Sequence, residues 1–199
     1  MAVVGVMAEI LLRKRYHAAA ILLHWLMAIA FLGMLASGLV MTEDFLDKSQ
    51  KFQLYQWHKS LGVLLLSLFF VRLMVRFVAR KPALSIRMKP LEKKAANLVH
   101  GLLYAIMLLL PLSGWVMVSS SPYGLPTIVF GVFEWPHIPK IAANLAIEHR
   151  AKEAHEILAN FFMVLIALHI GAVLKHWLVD KENLLPRMGI GKQQEEKKA

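Results

Sequence analysis

Cysteine is absent from the 199 residues of this chain, and charged residues are few, at 18%. Without cysteine, disulfide bonds, iron–sulfur clusters and thiolate-bound metal sites are excluded. Residues 16–41 and 95–118 contain no Asp, Glu, Lys or Arg at all. Soluble domains carry about 25% charged residues. The shortage of charge and its distribution therefore favour a membrane protein over a soluble enzyme.

Long apolar segments take the place of the missing charge. Hydrophobic residues make up 58% of the chain, and the mean hydropathy is +0.54. A helix needs ~20 residues to cross a bilayer, and four segments are long enough: about 16–41, 54–78, 95–118 and 154–178. The second has a charge-free core only between Lys59 and Arg72. It spans only if Lys59 extends toward the interface and the arginines are paired or do the same. We predict an all-α integral membrane four-helix bundle, with residues 1–188 as one membrane domain and a disordered tail at 189–199.

Lysine and arginine are distributed unevenly between the two ends of this predicted bundle. Seventeen of the 23 fall at the end that holds both termini and the second-to-third connection. The positive-inside rule then places both termini in the cytoplasm. The net charge of +10 follows from this topology, so the expected partner is the lipid bilayer and not nucleic acid. The apolar residues 1–12 precede a basic run at 13–15, the reverse of a signal peptide, so we expect no cleavage.

Nine histidines are the unusual feature of so apolar a chain, because ionisable groups in a membrane are costly and tend to be functional. At 1.5 Å rise per residue, His24 and His169 each lie about 12 Å from the cytoplasmic face. His58 and His155 lie about 6 Å from the opposite face. The four histidines therefore form two layers, His24 with His169 and His58 with His155.

The spacing along the fourth helix supports two separate sites. His155 and His169 are fourteen residues apart, close to four helical turns, so they share a face and lie about 21 Å apart. Two stacked haems, each held between imidazoles from two helices, would fit this arrangement. His176 shares the face but lies near the interface, and pairing it with His155 would need about 31 Å. His169 is therefore the better ligand.

Simpler interpretations of these histidines remain open from the residues alone. A single histidine inside a membrane often only hydrogen-bonds a neighbouring helix. A zinc site, as in a metal transporter, usually includes a carboxylate or thiolate, and neither is expected in either layer. Arg72 lies fourteen residues after His58 and would either pair with a haem propionate or simply follow the positive-inside rule. His100 and Tyr104, one turn apart, would either pack against neighbouring helices or serve a site.

Several short motifs occur along residues 16–188. They are His24-Trp25, His58 with Arg72, His100-x-x-x-Tyr104, Val-Phe-Gly-Val-Phe-Glu-Trp-Pro from Val129, His155-Glu156 with His169, Lys175-His176, and Asn183-Leu-Leu-Pro-Arg-Met188. Together these motifs resemble the bacterial cytochrome b561 family, small di-haem membrane proteins that include superoxide:ubiquinone oxidoreductases.

The resemblance implies two haem b groups and a location in the bacterial inner membrane as a multi-pass protein. The family's axial ligands fall on the same four residues: His24, His58, His155 and His169. The family's quinone region would place His176 beside a ubiquinone head group, and His176 or His100 could relay protons.

On this interpretation, the donor is periplasmic superoxide, steered by basic residues at that end: Lys51, Lys59, Arg150 and Lys152. The alternative is an electron-transfer subunit that docks a periplasmic redox protein through the loop at 119–153. A metal transporter is the non-redox alternative.

Overall fold

A computed structural model describes residues 15–191 of the chain, apart from residues 80, 81, 84, 86 and 87. The elements in chain order are α1 (Ala18–Val40), α2 (Lys48–Val78), α3 (Pro90–Ser120), β1 (Thr127–Val129), β2 (Phe133–Trp135), α4 (Leu145–Leu178) and a short 3₁₀ helix (Leu185–Met188). In the described part, all four α-helices are long and apolar enough to cross a membrane. The predicted fold class, an integral membrane four-helix bundle, is confirmed.

Three of the helices begin earlier than the apolar segments predict. Asp47 caps α2 through a reciprocal pair of bonds with Gln50, Pro90 occupies the first turn of α3, and the Asn144 side chain accepts from the Ile147 amide at the start of α4. These are standard helix-start residues. Hydropathy detects only the part of a helix that lies in hydrocarbon, whereas capping residues in the polar flanks determine where the helix begins.

A small β-hairpin replaces part of the long loop predicted at 119–153. β1 and β2 pair antiparallel, with Ile128 opposite Glu134. The Ser60 hydroxyl of α2 donates to the Ile128 carbonyl at 3.1 Å and accepts from the Phe130 amide at 3.1 Å. The Trp115 indole of α3 donates to the Pro136 carbonyl at 2.9 Å. These bonds fix the hairpin across one end of the bundle, which we call the hairpin end.

The opposite end, which we call the terminal end, is covered by residues 179–191. The Trp25 indole donates to the Met188 carbonyl at 2.9 Å, and the Arg15 guanidinium donates to the Gly191 carbonyl at 2.9 Å. A Cβ at Gly189, where φ is 85°, would lie only 3.1 Å from the Ile21 side chain, so this close approach requires glycine. The chain is therefore packed as far as Gly191. The predicted tail continues into residues 192–199, which lie outside the described residues, as do residues 1–14.

The core of the bundle lies between the two ends. Its buried side chains come from all four helices and are Met27, Phe31, Leu65, Phe69, Ile106, Met107, Leu110, Phe162 and Leu165. Large apolar side chains such as Leu22 and Ile29 stay 69% exposed on the outside of the bundle. A broad apolar exterior of this kind is what a surface facing lipid requires.

Candidate functional site

The structure brings together both of the histidine pairs predicted from helix geometry. At the hairpin end, His58 of α2 and His155 of α4 have ring centroids 6.4 Å apart. Toward the terminal end, His24 of α1 and His169 of α4 have ring centroids 6.2 Å apart. All four side chains are partly buried inside the bundle.

The spacing within each pair fits one metal between two imidazoles. Ligands on opposite sides of a metal, each with a bond of about 2 Å, have ring centres roughly 6 Å apart. Both observed distances lie close to this value. Because a low-spin haem iron takes two axial imidazoles from the protein, each pair has the composition and spacing that such a site requires.

Serine hydroxyls orient the two histidines at the hairpin end. Ser37 Oγ lies 2.8 Å from His58 Nδ1 and donates its own hydrogen to the Met34 carbonyl at 2.9 Å. Ser113 Oγ lies 3.0 Å from His155 Nδ1 and donates to the Leu110 carbonyl at 2.8 Å. When each hydroxyl hydrogen bonds the backbone carbonyl, each serine oxygen accepts from the histidine.

The Leu110 carbonyl indicates the tautomer of His155. It lies 3.1 Å from His155 Nδ1 and can only accept, so this ring carries its proton on Nδ1. His58 has the same tautomer in the arrangement in which Ser37 donates to the Met34 carbonyl. The lone pair of Nε2 is then available in both rings. A hydrogen bond from Nδ1–H is the usual way in which a protein prepares a histidine to bind a metal through Nε2.

The terminal-end pair has a different neighbour, the Arg72 guanidinium. Arg72 Nη2 lies 3.3 Å from His24 Nδ1, and because a guanidinium only donates, His24 Nδ1 accepts in this arrangement. The Nε and Nη1 atoms of Arg72 are buried and have no hydrogen-bond partner among the described residues. Buried guanidinium nitrogens without a partner are costly, so an anionic group such as a haem propionate suits this position.

Tyr104 and His100 of α3 complete the terminal-end site. The guanidinium carbons of Arg72 and Arg76 each lie 5.6 Å from the centre of the Tyr104 ring, within the range of a cation–π contact. His100 and His169 have ring centroids 5.4 Å apart. His100 is therefore a direct neighbour of the predicted ligand, which the sequence left open.

Zinc-type coordination has no counterpart in residues 15–79 and 88–191 or in the described positions between them. No group of three or more His, Cys, Asp or Glu side chains there could hold a metal ion. A structural zinc site needs four ligands and a catalytic site three. The histidine pairs therefore suit haem better than the zinc of a metal transporter.

His176 lies at the terminal end, covered by the chain that follows α4. It is only 8% exposed, and its Nδ1 lies 2.7 Å from Asp180 Oδ2. Asp180 also accepts from Lys175 at 2.7 Å, and Lys175 in turn pairs with Glu92 of α3. The hydrogen bond from Lys175, followed by that from His176, lowers the pKa of Asp180 below its ordinary value of 3.8. The sequence predicted His176 here but not its carboxylate partner.

The four predicted steering residues have different surroundings at the hairpin end. The Lys51 ammonium lies 3.5 Å from Asp44, and the Lys59 ammonium donates to the Pro126 carbonyl at 2.8 Å. Arg150 and Lys152 are exposed in the first turns of α4. Of these four residues, Lys51 and Lys59 thus hold loops in place, whereas Arg150 and Lys152 face solvent.

Two buried polar atoms in the hairpin segment also have no partner among the described residues. These are the Trp135 indole nitrogen and His137 Nε2. Sequence reasoning assigned neither a role, because a loop without an apolar pattern gives no indication of which side chains turn inward. Like Arg72 at the other site, the Trp135 indole is a buried donor that suits a carboxylate group.

Comparison with known proteins identifies a family that this chain matches. Residues 15–191 match the family model described as prokaryotic cytochrome b561. The chain is 30% identical over 176 residues to cytochrome b561 homolog 2 of Escherichia coli (strain K12), covering 88% of this chain and 91% of that protein. It is also 30% identical to cytochrome b561 homolog 1 of the same organism, over 88% and 97% of the two chains. With the probable superoxide oxidase CybB of Yersinia pestis, it is 28% identical over 89% and 97%.

Members of the matched family are membrane electron-transfer proteins that bind haem b. The match spans every helix and both histidine pairs described above. This chain therefore belongs to the prokaryotic cytochrome b561 family.

Proposed function

We propose that this protein is a di-haem oxidoreductase that passes electrons from superoxide at the hairpin end to ubiquinone at the terminal end. The observation that carries the proposal is the presence of two imidazole pairs, at 6.4 and 6.2 Å, in separate layers of one transmembrane bundle. Because His155 and His169 lie on the continuous helix α4, the two layers are about 21 Å apart. One haem b in each layer would make a route across most of the hydrocarbon.

Each pair of residues has a distinct task in this proposal. His58 and His155 hold the hairpin-end haem, and His24 and His169 hold the terminal-end haem. When bound, the two haems supply one-electron transfer along the bundle. Arg72 would leave His24 and bind a propionate, which frees His24 to carry its proton on Nδ1 and to present Nε2.

The overall reaction must balance electrons and protons between two very different substrates. Two superoxide ions each lose one electron and become dioxygen, and one ubiquinone gains both electrons and two protons to become ubiquinol. Protons are therefore needed only at the terminal end. His176 is held there by Asp180 and His100 lies against His169, so either could deliver a proton to the quinone.

The positions of lysine and arginine support the orientation. The terminal end carries most of them, and the positive-inside rule then supports a cytoplasmic terminal end and a periplasmic hairpin end in a bacterial inner membrane. Superoxide formed outside the cytoplasm would then meet the hairpin end first, and Arg150 and Lys152 are exposed there.

A second candidate is an electron-transfer subunit that accepts electrons from a periplasmic redox protein. The exposed apolar surface of the hairpin segment favours it, since Tyr123 and Val132 are each 80% exposed and Phe133 is 50% exposed. Large exposed apolar side chains often mark protein contacts. Purified protein that reduces added quinone with superoxide alone would support the oxidase. Reduction that needs an added periplasmic fraction would support the subunit.

Haem content tests the proposal directly. Detergent-purified protein should show a low-spin b-type spectrum and two haems per chain by the pyridine haemochrome assay. A stoichiometry near one would remove one histidine pair from the proposal. Protein without a Soret band would reject haem binding altogether.

A further inference from the structure

A serine followed by glycine occurs in two different helices of the bundle, each time facing a hairpin-end histidine. Ser37-Gly38 lies near the end of α1 and faces His58, and Ser113-Gly114 lies in α3 and faces His155. Since α1 and α3 are different elements, the two contacts form independently. Among the described residues, the terminal-end histidines have one hydrogen bond at Nδ1, and it joins His24 to Arg72.

The glycine of each dipeptide leaves room for the histidine ring. A Cβ at Gly38 would lie 3.7 Å from His58 Cε1, and a Cβ at Gly114 would lie 3.3 Å from His155 Cε1. The second distance is tighter than ordinary van der Waals contact, so a side chain at residue 114 would push the ring. The serine therefore holds the ring by one hydrogen bond, and close contact at the glycine limits the movement of the ring on the same side.

The serine fixes both the direction and the electron density of the imidazole. A hydrogen bond donated by Nδ1–H makes the ring a stronger donor to a metal at Nε2. A stronger donor stabilises the oxidised, ferric iron, which lowers its reduction potential. Loss of the acceptor should therefore raise the potential of the haem that this histidine holds.

We propose that Ser37 and Ser113 are positioning residues that set the reduction potential and ligand orientation of the hairpin-end haem. This inference rests on the proposed haem binding by His58 and His155. A hairpin-end haem held at lower potential would pass its electron onward more readily, which favours transfer away from the superoxide side.

The two serines should not contribute equally. His155 Nδ1 has a second acceptor, the Leu110 carbonyl at 3.1 Å, whereas Ser37 is the one Nδ1 partner of His58 among the described residues. Removal of Ser113 therefore leaves His155 with an acceptor, and removal of Ser37 leaves His58 with none. The effect of Ser37→Ala should be the larger.

Redox titration of the purified di-haem protein, followed in the visible spectrum, tests this inference. The titration should show two redox waves, one for each haem. The hairpin-end wave is assigned with His155→Ala, which should lack it. Ser37→Ala should shift the hairpin-end wave upward, Ser113→Ala should shift it upward by less, and neither should move the terminal-end wave. The ferric EPR spectrum should change for the same haem, because its axial ring is freer to rotate.

Control variants separate this role from a general loss of packing. Ser67→Ala removes a hydroxyl that bonds only the Val63 carbonyl of its own helix, and it should leave both waves in place. Ser37→Thr keeps a hydroxyl and should return the potential toward that of the parent protein. If Ser37→Ala weakens haem retention, the potential of Ser37→Thr can still be compared with that of the parent protein.

Several results would overturn the inference while leaving the proposed function intact. Two haems with unchanged potentials and EPR spectra in both alanine variants would do so. A larger shift for Ser113→Ala than for Ser37→Ala, or an equal shift of the terminal-end wave, would do so as well. Failure of the proposed function itself would appear earlier, as missing haem in the parent protein.

Discussion

Phe31 of α1 and Phe162 of α4 meet edge to face at the centre of the bundle, with ring centroids 5.0 Å apart and planes at 74°. Phe162 lies seven residues from His155 and seven from His169, so it is midway between the two histidine layers. Its side chain is 3% exposed, and that of Phe31 is 5% exposed. The two rings fill the space that separates the two proposed haems.

Phe162→Ala should destabilise the bundle strongly. Removing a fully packed aromatic side chain leaves a cavity and typically costs about 3–5 kcal/mol. The neighbouring Phe161 is 44% exposed on the outer surface, so Phe161→Ala is the matched control and should change stability little. Thermal unfolding in detergent, followed by helix circular dichroism, measures both. Equal losses in the two variants would contradict the assignment of Phe162 to the core.

Alanine substitution of the four predicted ligands should separate the two sites. His58→Ala and His155→Ala should each lose or perturb the hairpin-end haem, because one axial bond is missing. His24→Ala and His169→Ala should do the same at the terminal end. His149→Ala is the control, since His149 is exposed on the same helix as His155. Visible and EPR spectra of each purified variant, with haemochrome content, give the result.

His100 provides the decisive comparison at the terminal end. Its ring lies 5.4 Å from that of His169, closer than the 6.2 Å between His24 and His169. His100→Ala should nevertheless keep both haems, because the longer spacing is the one that accommodates a metal between two rings. Loss of a haem in His100→Ala but not in His24→Ala would show that the terminal-end pair is misassigned.

The sequence predicted the helices and the histidine pairs because both depend on local geometry. Long apolar segments determine which residues span, and the rise and period of a helix determine the depth and face of His155 and His169. The hairpin was missed because its strands have only three residues each and depend on bonds to Ser60 of a distant helix. Strands this short carry no alternation that could be recognised.

The hydrogen bonds around the histidines could not be predicted from the sequence, for a different reason. A serine in an apolar helix can satisfy its hydroxyl on its own backbone, as Ser67 does, so the composition of α1 gave no reason to single out Ser37. Only the packing of α1 against α2 places Ser37 beside His58. Small Ser-Gly pairs in membrane helices indicate close helix contact, and they are the one signal that could have drawn attention to these positions.

Asp180 should make the packing of the C-terminal segment sensitive to acid. Lys175 and His176 lower the pKa of Asp180 in the folded protein. The pairing of Asp180 therefore stabilises the segment fully above pH 3.8, the ordinary pKa of this group. The stabilisation is lost as the pH falls through the lower pKa of the folded protein. Hydrogen-exchange protection of residues 181–191, corrected for intrinsic rates, should therefore fall in that acid range. Asp180→Asn should show reduced protection already at neutral pH. Asp44→Asn, which removes an exposed carboxylate at the other end, should leave these residues unchanged.

In the proposed function, superoxide reaches the hairpin end as a small anion, so its reaction rate should depend on the charges that face solvent there. Arg150 and Lys152 are exposed, whereas Lys51 and Lys59 are engaged with Asp44 and with the Pro126 carbonyl. Attraction by exposed charges is screened over about 10 Å at 0.1 M salt. The bimolecular rate of haem reduction by superoxide, measured by stopped flow, should therefore fall as ionic strength rises.

Charge reversal at the two ends of the bundle locates the entry side. Arg150→Glu should slow the reaction further at low salt, and the difference from the parent protein should shrink as salt increases. Lys93→Glu makes the same change in net charge at the start of α3, at the terminal end, and should have little effect. Both variants should keep unchanged haem spectra. A rate that is flat or rises with salt, or equal slowing in the two variants, would rule out cationic steering at the hairpin end and favour a docked redox protein as the donor.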